Sequence, residues 1–475
     1  MAGIEHVISV EELLPRKGND VRTEDVEVQV IEKDSPRQQW LDELEKAGDE
    51  ADQKTGPKIQ KVPFLLRDHK DVAKYFEPRV VSLGPIHHGK PKYRKAEKYK
   101  LVLANKFVKE SGKAESLYAQ IEKKISKLKD YFNEEVTAKK YDDEKLAGML
   151  FVDGCAVLQF IYYHEAEEKF KDKKIKNDQV AFWKHDLFLL ENQLPYQLLE
   201  DLMELSEKKE TLQDSMDRFI ENHANCKDPK MTSSTEKPAH LLDRLRTRLL
   251  FLGDEEKKRN NKSSTENIEG DWQSYRNVQE LRAAGIQLSP STTNSLADVS
   301  FSDKSINVYP GYLYLPQITV DDSMGPKLLN LVAYEMCPDF DNDFGITSYI
   351  CFVDSLIDHP EDVKELRKGK ILHNLLGSDK EVSQLFNEIA TDLVPNPEIY
   401  ADVKKQIQKC YSSKWKTWIA QCYNDHFSSP WTIVGFLAAF LALALTILQT
   451  WYSVRGSPSD SKDRSSPAPR IPKRY

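Results

Sequence analysis

The sequence has few cysteines and no paired cysteine spacing. Its six cysteines are scattered through 475 residues, with no CxxC pair among Cys155, Cys226, Cys337, Cys351, Cys410 and Cys422. A disulfide-stapled secreted domain or a four-thiolate zinc site would require cysteines at short, paired spacings. The pattern therefore favours a reducing compartment.

Signals for secretion and for common enzyme classes are also missing. The first twenty residues, MAGIEHVISVEELLPRKGND, contain no continuous apolar core, so a secretory signal is not indicated. The motifs GxxxxGK[ST], GxGxxG, GxSxG and HExxH and the kinase motif set are absent from the sequence. The net charge is −8, with acidic and basic residues interleaved, so we expect no nucleic-acid partner. We also expect no cofactor, and the sequence identifies no reaction.

The charge-free run over residues 427–454 is the clearest signal present. From Trp431 to Trp451 it is almost continuously apolar, with Phe440 inside it. Twenty-one residues at about 1.5 Å each span roughly 31 Å, the hydrocarbon thickness of a bilayer. Trp431, Trp451 and Tyr452 stand at its ends, where aromatic rings favour the membrane interface. The run predicts a transmembrane helix.

Topology and location follow from where this run stands. About twenty residues follow it, so insertion after synthesis, as a tail anchor, is expected. Without a secretory signal the large N-terminal part should stay cytosolic, at the plasma membrane or at an endomembrane. Lysines beside an anionic leaflet contribute about 1 kcal/mol each, and five of them precede the run: Lys404, Lys405, Lys409, Lys414 and Lys416. An anionic-lipid-binding scaffold is therefore one alternative function.

A second apolar run, residues 146–163, carries Asp153 at its middle. A carboxylate at the centre of a bilayer costs about 2.5–3.5 kcal/mol on insertion scales, so a buried core helix is predicted instead. Inside a core, Asp153 must be paired, hydrogen-bonded or protonated. A structural ion pair, or a cap for a neighbouring element, is favoured over catalysis.

The stretch HDLFLLENQLPYQLLEDLM places Glu191, Asn192 and Gln193 inside an otherwise apolar run. Asn192 is expected to cap a helix that begins at Gln193, with Pro195 tolerated in its first turn. Glu191 is expected to satisfy backbone or basic partners. The three polar residues then form a junction between two helices, at about 185–191 and 195–206.

An enzyme remains an alternative, with a pocket that gathers Asp153, Glu191, His185 and His87. A metal is not expected at His87 and His88, because neighbouring side chains diverge and cannot readily share one ion. The acidic string DFDNDFG lacks the carboxylate that a calcium loop needs at its twelfth position, where Ile350 stands.

Composition divides the chain into segments, and periodicity assigns elements within them. The expected segments are a disordered region 1–56, a mainly helical domain 57–426 in one or two lobes with a mobile insertion 254–270, the transmembrane helix 427–454 and a basic tail 455–475. The fold class is mainly α with a small β element.

Local patterns refine this prediction at three places. Leu117, Ile121, Ile125, Leu128 and Phe132 form one stripe of an amphipathic helix. Alternating residues in VYPGYLYLPQITV predict the β element. The stretch PRVVSLGP predicts a short extended segment that closes at Gly-Pro.

Nine stretches of the chain resemble the plant domain of unknown function 247 family in order and spacing. They are KVPFLLRDHKDVAKYFEPRVVSLGPIHHG, AEKYK, MLFVDGC, HDLFLLENQLPYQLL, VQELRAAGIQL, GYLYLPQITVDD, LLNLVAYEMC, ITSYICFVDSLIDHPEDVKEL and PWTIVGFLAAFLALALTILQTWYS. Three features depart from the family pattern: Ala156 replaces an aromatic, Gln159 replaces an acid, and SMGPK replaces Thr-Glu. The first two weaken a catalytic carboxylate pair on the helix of Asp153.

The resemblance implies a plant protein with a C-terminal single-span anchor and no established catalytic activity. Some family members are implicated in pollen–stigma self-incompatibility in grasses. We therefore expect a membrane-anchored component of recognition or signalling with a protein partner, against the enzyme and lipid-scaffold alternatives.

Overall fold

A computed structural model describes most of the chain. The described residues are 39–42, 44, 56–69, 72–112, 114–137, 141–164, 170, 175–225, 237–252, 277–302, 311–412 and 430–455. The chain divides into two compact units, residues 1–55 and 56–475. In the first unit residues 39–42 and 44 are described, and they are helical. The expected disorder of 1–56, the insertion 254–270 and the tail beyond Arg455 otherwise lie outside the described residues.

The second unit is mainly helical, which confirms the predicted fold class. Its helices are α1 Phe64–Arg67, α2 Gly84–His87, α3 Arg94–Ser111, α4 Ala114–Lys129, α5 Glu134–Thr137, α6 Asp143–His164, α7 Asn177–Asp186, α8 Tyr196–Glu204, α9 Lys209–Ala224, α10 Leu241–Leu250, α11 Val278–Ala283, α12 Met324–Glu335, α13 Gly345–Asp354, α14 Pro360–Lys368, α15 Asp379–Ile389, α16 Ala401–Tyr411 and α17 Pro430–Arg455. Among the described residues, 3₁₀ turns lie at Ala73–Tyr75, Pro91–Tyr93 and Leu190–Asn192.

Helix α6 is the centre of the core. Its apolar composition on all faces suits a helix packed by neighbours rather than by water, and α3, α4, α8 and α9 all contact it. Phe160 stacks on Trp183 of α7 with ring centroids 4.9 Å apart. The run predicted to be a core helix is therefore a core helix.

The amphipathic stripe is confirmed in α4. Leu117, Ile121, Ile125 and Leu128 are buried there, while Phe132 lies beyond the helix end and pairs with Ile59 in an isolated parallel bridge. This bridge joins the start of the second unit to the end of α4.

Two small sheets lie after α11 in the chain. Strand β3 (Gly311–Leu315) pairs parallel with β1 (Ile286–Pro290) and antiparallel with β2 (Ser300–Ser302). Strand β4 (Ile318–Val320) pairs parallel with β5 (Leu372–Asn374). The leucines of β3 are buried and its tyrosines half-buried, as the alternation predicts.

The stretch predicted to be extended over residues 78–85 belongs to no strand, and helix α2 begins at its glycine. Gly84 has a φ of +63°, and a Cβ there would lie 3.0 Å from the carbonyl oxygen of Gln193. Both the positive φ and the close backbone contact favour glycine. The Gly-Pro pair therefore starts a buried helical turn instead of closing a strand.

Two glycines of α6 differ in the space around them, and this yields a matched test. A Cβ at Gly154 would meet Leu202 Cδ1 at 2.7 Å and Leu198 Cδ2 at 3.3 Å, whereas at Gly148 the nearest atom is Tyr118 Oη at 4.0 Å. Gly148→Ala should stabilise the chain by about 0.5–1 kcal/mol through helix propensity. For Gly154→Ala, overpacking against α8 costs about 1–3 kcal/mol. The same helix-propensity gain offsets part of this cost, so the net effect should be destabilising. Urea unfolding of the full chain in nonionic detergent measures both, and equal effects would contradict the close α6–α8 contact.

Candidate functional site

Residues 79–84, here called the core segment, run from the exposed Arg79 and the half-buried Val80 into the interior at residues 81–84, and no strand among the described residues pairs with them. The backbone N–H groups of Arg79, Val80 and Val81 donate to the Asp186 carboxylate at 2.9, 2.7 and 2.9 Å. Asp186 ends α7 and is 1% exposed. A single carboxylate therefore replaces the neighbouring strand that would otherwise accept these hydrogen bonds.

Asn192 continues this pairing along the core segment. Its Oδ1 accepts from the N–H of Leu83 at 2.7 Å, and its Nδ2 donates to the carbonyls of Val81 at 3.1 Å and Asp186 at 2.8 Å. The side-chain amide thus imitates a backbone amide of an adjacent strand.

The predicted capping role of Asn192 is wrong. Helix α7 ends at Asp186, a 3₁₀ turn covers Leu190–Asn192, and α8 begins only at Tyr196, with Pro195 at its N-cap and no side-chain cap. The prediction considered only partners near in sequence, whereas the amide of Asn192 is used by the core segment about a hundred residues earlier.

Asp153 of α6 holds the end of the core segment. Its Oδ2 accepts from the N–H of Gly84 at 2.9 Å, and its Oδ1 lies 2.6 Å from Lys100 Nζ. Lys100 also donates to the carbonyl of Ser82 at 2.8 Å and pairs with Glu97 at 2.9 Å. A cation and a backbone donor therefore satisfy the carboxylate that the sequence placed inside the core.

The charge on Lys100 is maintained although the side chain is only 1% exposed. Burial lowers the pKa of Lys100, but the carboxylates of Asp153 and Glu97 outweigh it, and the net pKa is raised. Removing one member of such a pair leaves an uncompensated buried charge. The pair therefore stabilises the junction between α3, α6 and the core segment as a unit.

Glu191 contacts three residues that precede it by more than a hundred positions. It accepts from the N–H of Val62 at 2.9 Å, contacts the Arg67 guanidinium, and lies 2.9 Å from His87 Nε2. Burial raises the pKa of Glu191, but the hydrogen bonds from His87 and Val62 and the charge of Arg67 outweigh it, and the net pKa is lowered.

His88 takes no part in this cluster. Its ring meets Tyr141 edge-on at 6.1 Å, whereas His87 contacts Glu191 and Tyr93. The two adjacent imidazoles therefore have different neighbours. In the described residues no group of three or more His, Cys, Asp or Glu side chains is arranged to hold a metal ion.

Gln193 completes the polar stretch by tying its own loop to α10. Its Nε2 donates to the carbonyls of Leu187 and Leu189 at 2.8 and 2.7 Å, and its Oε1 accepts from the N–H of Leu242 at 3.1 Å. Gln193 is 2% exposed. It therefore fixes the irregular backbone between α7 and α8 rather than facing solvent.

Sequence reasoning missed four buried residues that do similar work: Lys100, Asp186, Asn330 and Glu335. Asn330 accepts from the N–H of Leu190 at 2.9 Å and donates to the carbonyl of Tyr75 at 2.9 Å. Glu335 accepts from the N–H groups of Ile346 and Thr347, both at 2.9 Å. An available signal was an amide and an acid inside the apolar run LLNLVAYE, the same pattern as in the stretch of Glu191.

The four residues of the enzyme alternative are not gathered in one pocket. Asp153, Glu191 and His87 are at most 3% exposed; the two carboxylates are bonded to the residues described above, and His87 contacts Glu191. His185 instead lines a separate cavity of about 400 Å³. The buried polar side chains described above, here called the polar framework, satisfy backbone and charged groups within the core.

Those residues expected to face lipid that the structure describes lie in α16 and α17. Phe440, Trp451 and Tyr452 are exposed on α17, and the side chain of Trp431 lies outside the described residues. On α16 the lysines at 405 and 409 are exposed and Lys404 is half-buried. Lys414 and Lys416 lie outside the described residues.

The fold and the site define a mainly helical protein held together by buried side-chain-to-backbone hydrogen bonds, with one apolar helix left unburied. The chain belongs to the domain of unknown function 247 family, described as a plant protein of unknown function. The family model matches residues 59–445, so the resemblance read from the sequence is confirmed.

Two Arabidopsis thaliana proteins are similar to the chain. The UPF0481 protein At3g47200 is 27% identical over 422 residues, covering 83% of this chain and 86% of its own length. The UPF0481 protein At3g02645 is 30% identical over 181 residues, which are 38% of this chain and 33% of that protein. No solved structure matches the chain.

Two buried carboxylates of the framework should give opposite pH dependences. Glu191 has a lowered pKa, so its contribution is present above its ordinary pKa of 4.5 and is lost as the pH falls through its folded pKa. Burial raises the pKa of Asp186 to about 6, against three backbone hydrogen bonds that lower it. Protonation of Asp186 therefore favours the folded state, fully below 3.8, and that contribution is lost as the pH rises through 6.

Glu191→Gln and Asp186→Asn, each compared with the parent chain by urea unfolding in nonionic detergent, test this difference between about pH 4 and pH 7. The stability deficit of Glu191→Gln should shrink on acidification. The deficit of Asp186→Asn should grow on acidification, by about 2 kcal/mol. Parallel pH profiles for the two variants would contradict the assigned environments.

Proposed function

We propose that this protein is a single-pass membrane protein whose helix α17 spans a bilayer and holds the helical unit at its cytosolic face. One contrast carries the proposal. Both α6 and the Val434–Arg455 part of α17 are long and apolar enough to cross a membrane, but the first is 78% buried inside the protein and the second 0%. An apolar helix without a protein environment is stabilised by lipid.

The internal bonding of α17 supports this environment. Its 26 residues extend about 39 Å, enough for a tilted span. The hydroxyls of Thr446 and Thr450 donate to the carbonyls four residues earlier, at 2.7 and 2.8 Å, so neither leaves an unpaired donor in hydrocarbon. The Arg455 guanidinium lies 4.6 Å from the Trp451 ring, a pairing suited to the interface.

Free thiols support the proposal that the helical unit lies on the cytosolic side of the membrane. Cys155 and Cys337 are buried, Cys351 is half-buried, and the thiols of these three are free. Reduced cysteines are typical of proteins kept in the cytosol.

A binding role is favoured over catalysis for the helical unit. The carboxylates and the imidazole singled out by the sequence are enclosed and bonded to backbone or to each other, so they build the fold. We infer that the unit acts as an interaction or recognition component at a membrane, with a protein partner. The exposed lysines of α16 at 405 and 409 would face anionic headgroups if this helix lies near the bilayer.

Alkaline carbonate extraction of microsomes tests the anchor. The full chain should remain in the membrane pellet, and a chain ending at Ser429 should be released. Leu441→Arg with Leu445→Arg places two charges at the centre of α17, at an insertion cost of about 5–7 kcal/mol, and should also release the chain. Val454→Arg, at the helix end beside Arg455, is the matched control and should stay in the pellet. Release of the parent chain from the membrane pellet would contradict the proposal.

Orientation is tested separately, on sealed microsomes. Protease added outside should degrade the helical unit without detergent, because that unit would face the cytosol. Protection of the unit until detergent is added would contradict the proposed side.

A further inference from the structure

The cavity of about 400 Å³ lies apart from the buried polar framework. Segments from distant parts of the chain meet there: α7, the C-terminal end of α9, β4 and the first turn of α12. Its volume lies within the range of small-molecule sites. Lys184 and Lys327 contribute cations to its wall, and Asp321 contributes a carboxylate.

Lys327, like Lys184, is a half-buried cation of this cavity. Its Nζ donates to the carbonyl of His223 at 3.0 Å, and within the described part of the chain no carboxylate lies within ion-pair distance of it. Burial lowers the pKa of Lys327, although Asp321 raises it in part. An ammonium has three donors, so two of its N–H groups remain after the bond to His223.

Asp321 compensates the charge of Lys327 only in part, and the nearby histidines do not add to that compensation. His223 Nδ1 lies 2.7 Å from the carbonyl of Phe219, so its proton is on Nδ1. Burial lowers the pKa of His223 to about 3 and also lowers that of His185, so both are neutral at pH 7. The Asp321 carboxylate accepts from the N–H and the hydroxyl of Ser323 at 2.9 and 2.6 Å.

Part of the cavity wall is apolar. Leu296, Ile318, Met324 and Leu328 are buried residues that line it. Apolar surface beside a few convergent polar groups is the usual composition of a small-molecule site. A bare inorganic ion would leave this apolar wall unused.

We infer that this cavity binds a small organic anion, with a carboxylate or phosphate group on Lys327 and an apolar body against Met324 and Leu328. The simplest structural role of Lys327 is to cap the C-terminal carbonyls of α9, which suits a cation. That role uses one of the three ammonium donors and does not account for the cavity or for its apolar wall.

The test uses the purified full chain in nonionic detergent and four matched probes. Benzoate and phenyl phosphate carry the two anionic heads on one ring, benzyl alcohol is neutral, and benzylammonium is cationic. We expect saturable stabilisation of the thermal midpoint by benzoate or phenyl phosphate, and none by the other two. The stronger of the two anions identifies the head group. No stabilisation by either anion, or equal stabilisation by benzyl alcohol, would overturn the inference.

Lys327→Gln should weaken binding of the effective anion by about tenfold or more, as expected for loss of a charge-assisted hydrogen bond. Lys380→Gln, at an exposed lysine of α15, is the control and should bind as the parent chain does. Unchanged affinity in Lys327→Gln would overturn the assignment.

A measurement on the parent chain covers the case in which Lys327→Gln fails to fold. Reductive methylation followed by peptide mass spectrometry reports the reactivity of each lysine. The effective anion should slow methylation of Lys327 several-fold and leave Lys380 unchanged. Equal methylation of Lys327 with and without the anion would overturn the inference.

Discussion

The fold depends on one constraint: the core segment must enter the interior with its backbone hydrogen bonds made, although no strand in the described part of the chain pairs with it. A buried amide left unpaired costs about 1–3 kcal/mol. Three side chains accept its N–H groups: Asp186 takes residues 79, 80 and 81, Asn192 takes 83, and Asp153 takes 84. The polar positions of otherwise apolar helices therefore exist because a distant backbone requires acceptors.

Two buried carboxylates, Asp153 and Glu191, create a second requirement, and the structure meets it with specific partners. Asp153 carries a charge into the core, and Lys100 compensates it while also binding the carbonyl of Ser82. Glu191 does the same for the N-terminal end of the unit, with Val62, Arg67 and His87. The framework links residues far apart in the chain. Removing one of its side chains therefore leaves the buried polar groups bonded to it without a partner.

Hydropathy predicted the elements whose environment is uniform. The core helix α6, the stripe of α4 and the strands β3 and β4 follow from local composition and period. The need of Asp153 for partners also follows, because burial of a carboxylate is costly wherever it occurs. The identity of those partners does not follow, since Lys100 lies 53 residues away. Asn192 shows the same limit of sequence-based prediction. A local capping rule assigned it to the next helix, whereas in the structure its side-chain amide takes the place of a backbone amide of a neighbouring strand.

The cavity lined by Lys327 was invisible in the sequence for a related reason. Its walls come from several separate segments, none of which carries a motif of its own. The apolar helix α17 is the opposite case, because its signal is complete within one stretch. The sequence therefore predicts a candidate membrane-spanning helix more readily than a candidate binding site.

Hydrogen exchange of the core segment tests the central claim most directly. In the full chain, resolved to single amides by fragmentation mass spectrometry, Val80, Val81, Leu83 and Gly84 should exchange as slowly as amides in the middle of α6. That result is expected if side-chain acceptors hold these N–H groups as firmly as helix carbonyls do. Exchange at the rate of an exposed loop would show that the hydrogen bonds from these N–H groups to Asp186, Asn192 and Asp153 do not form in solution.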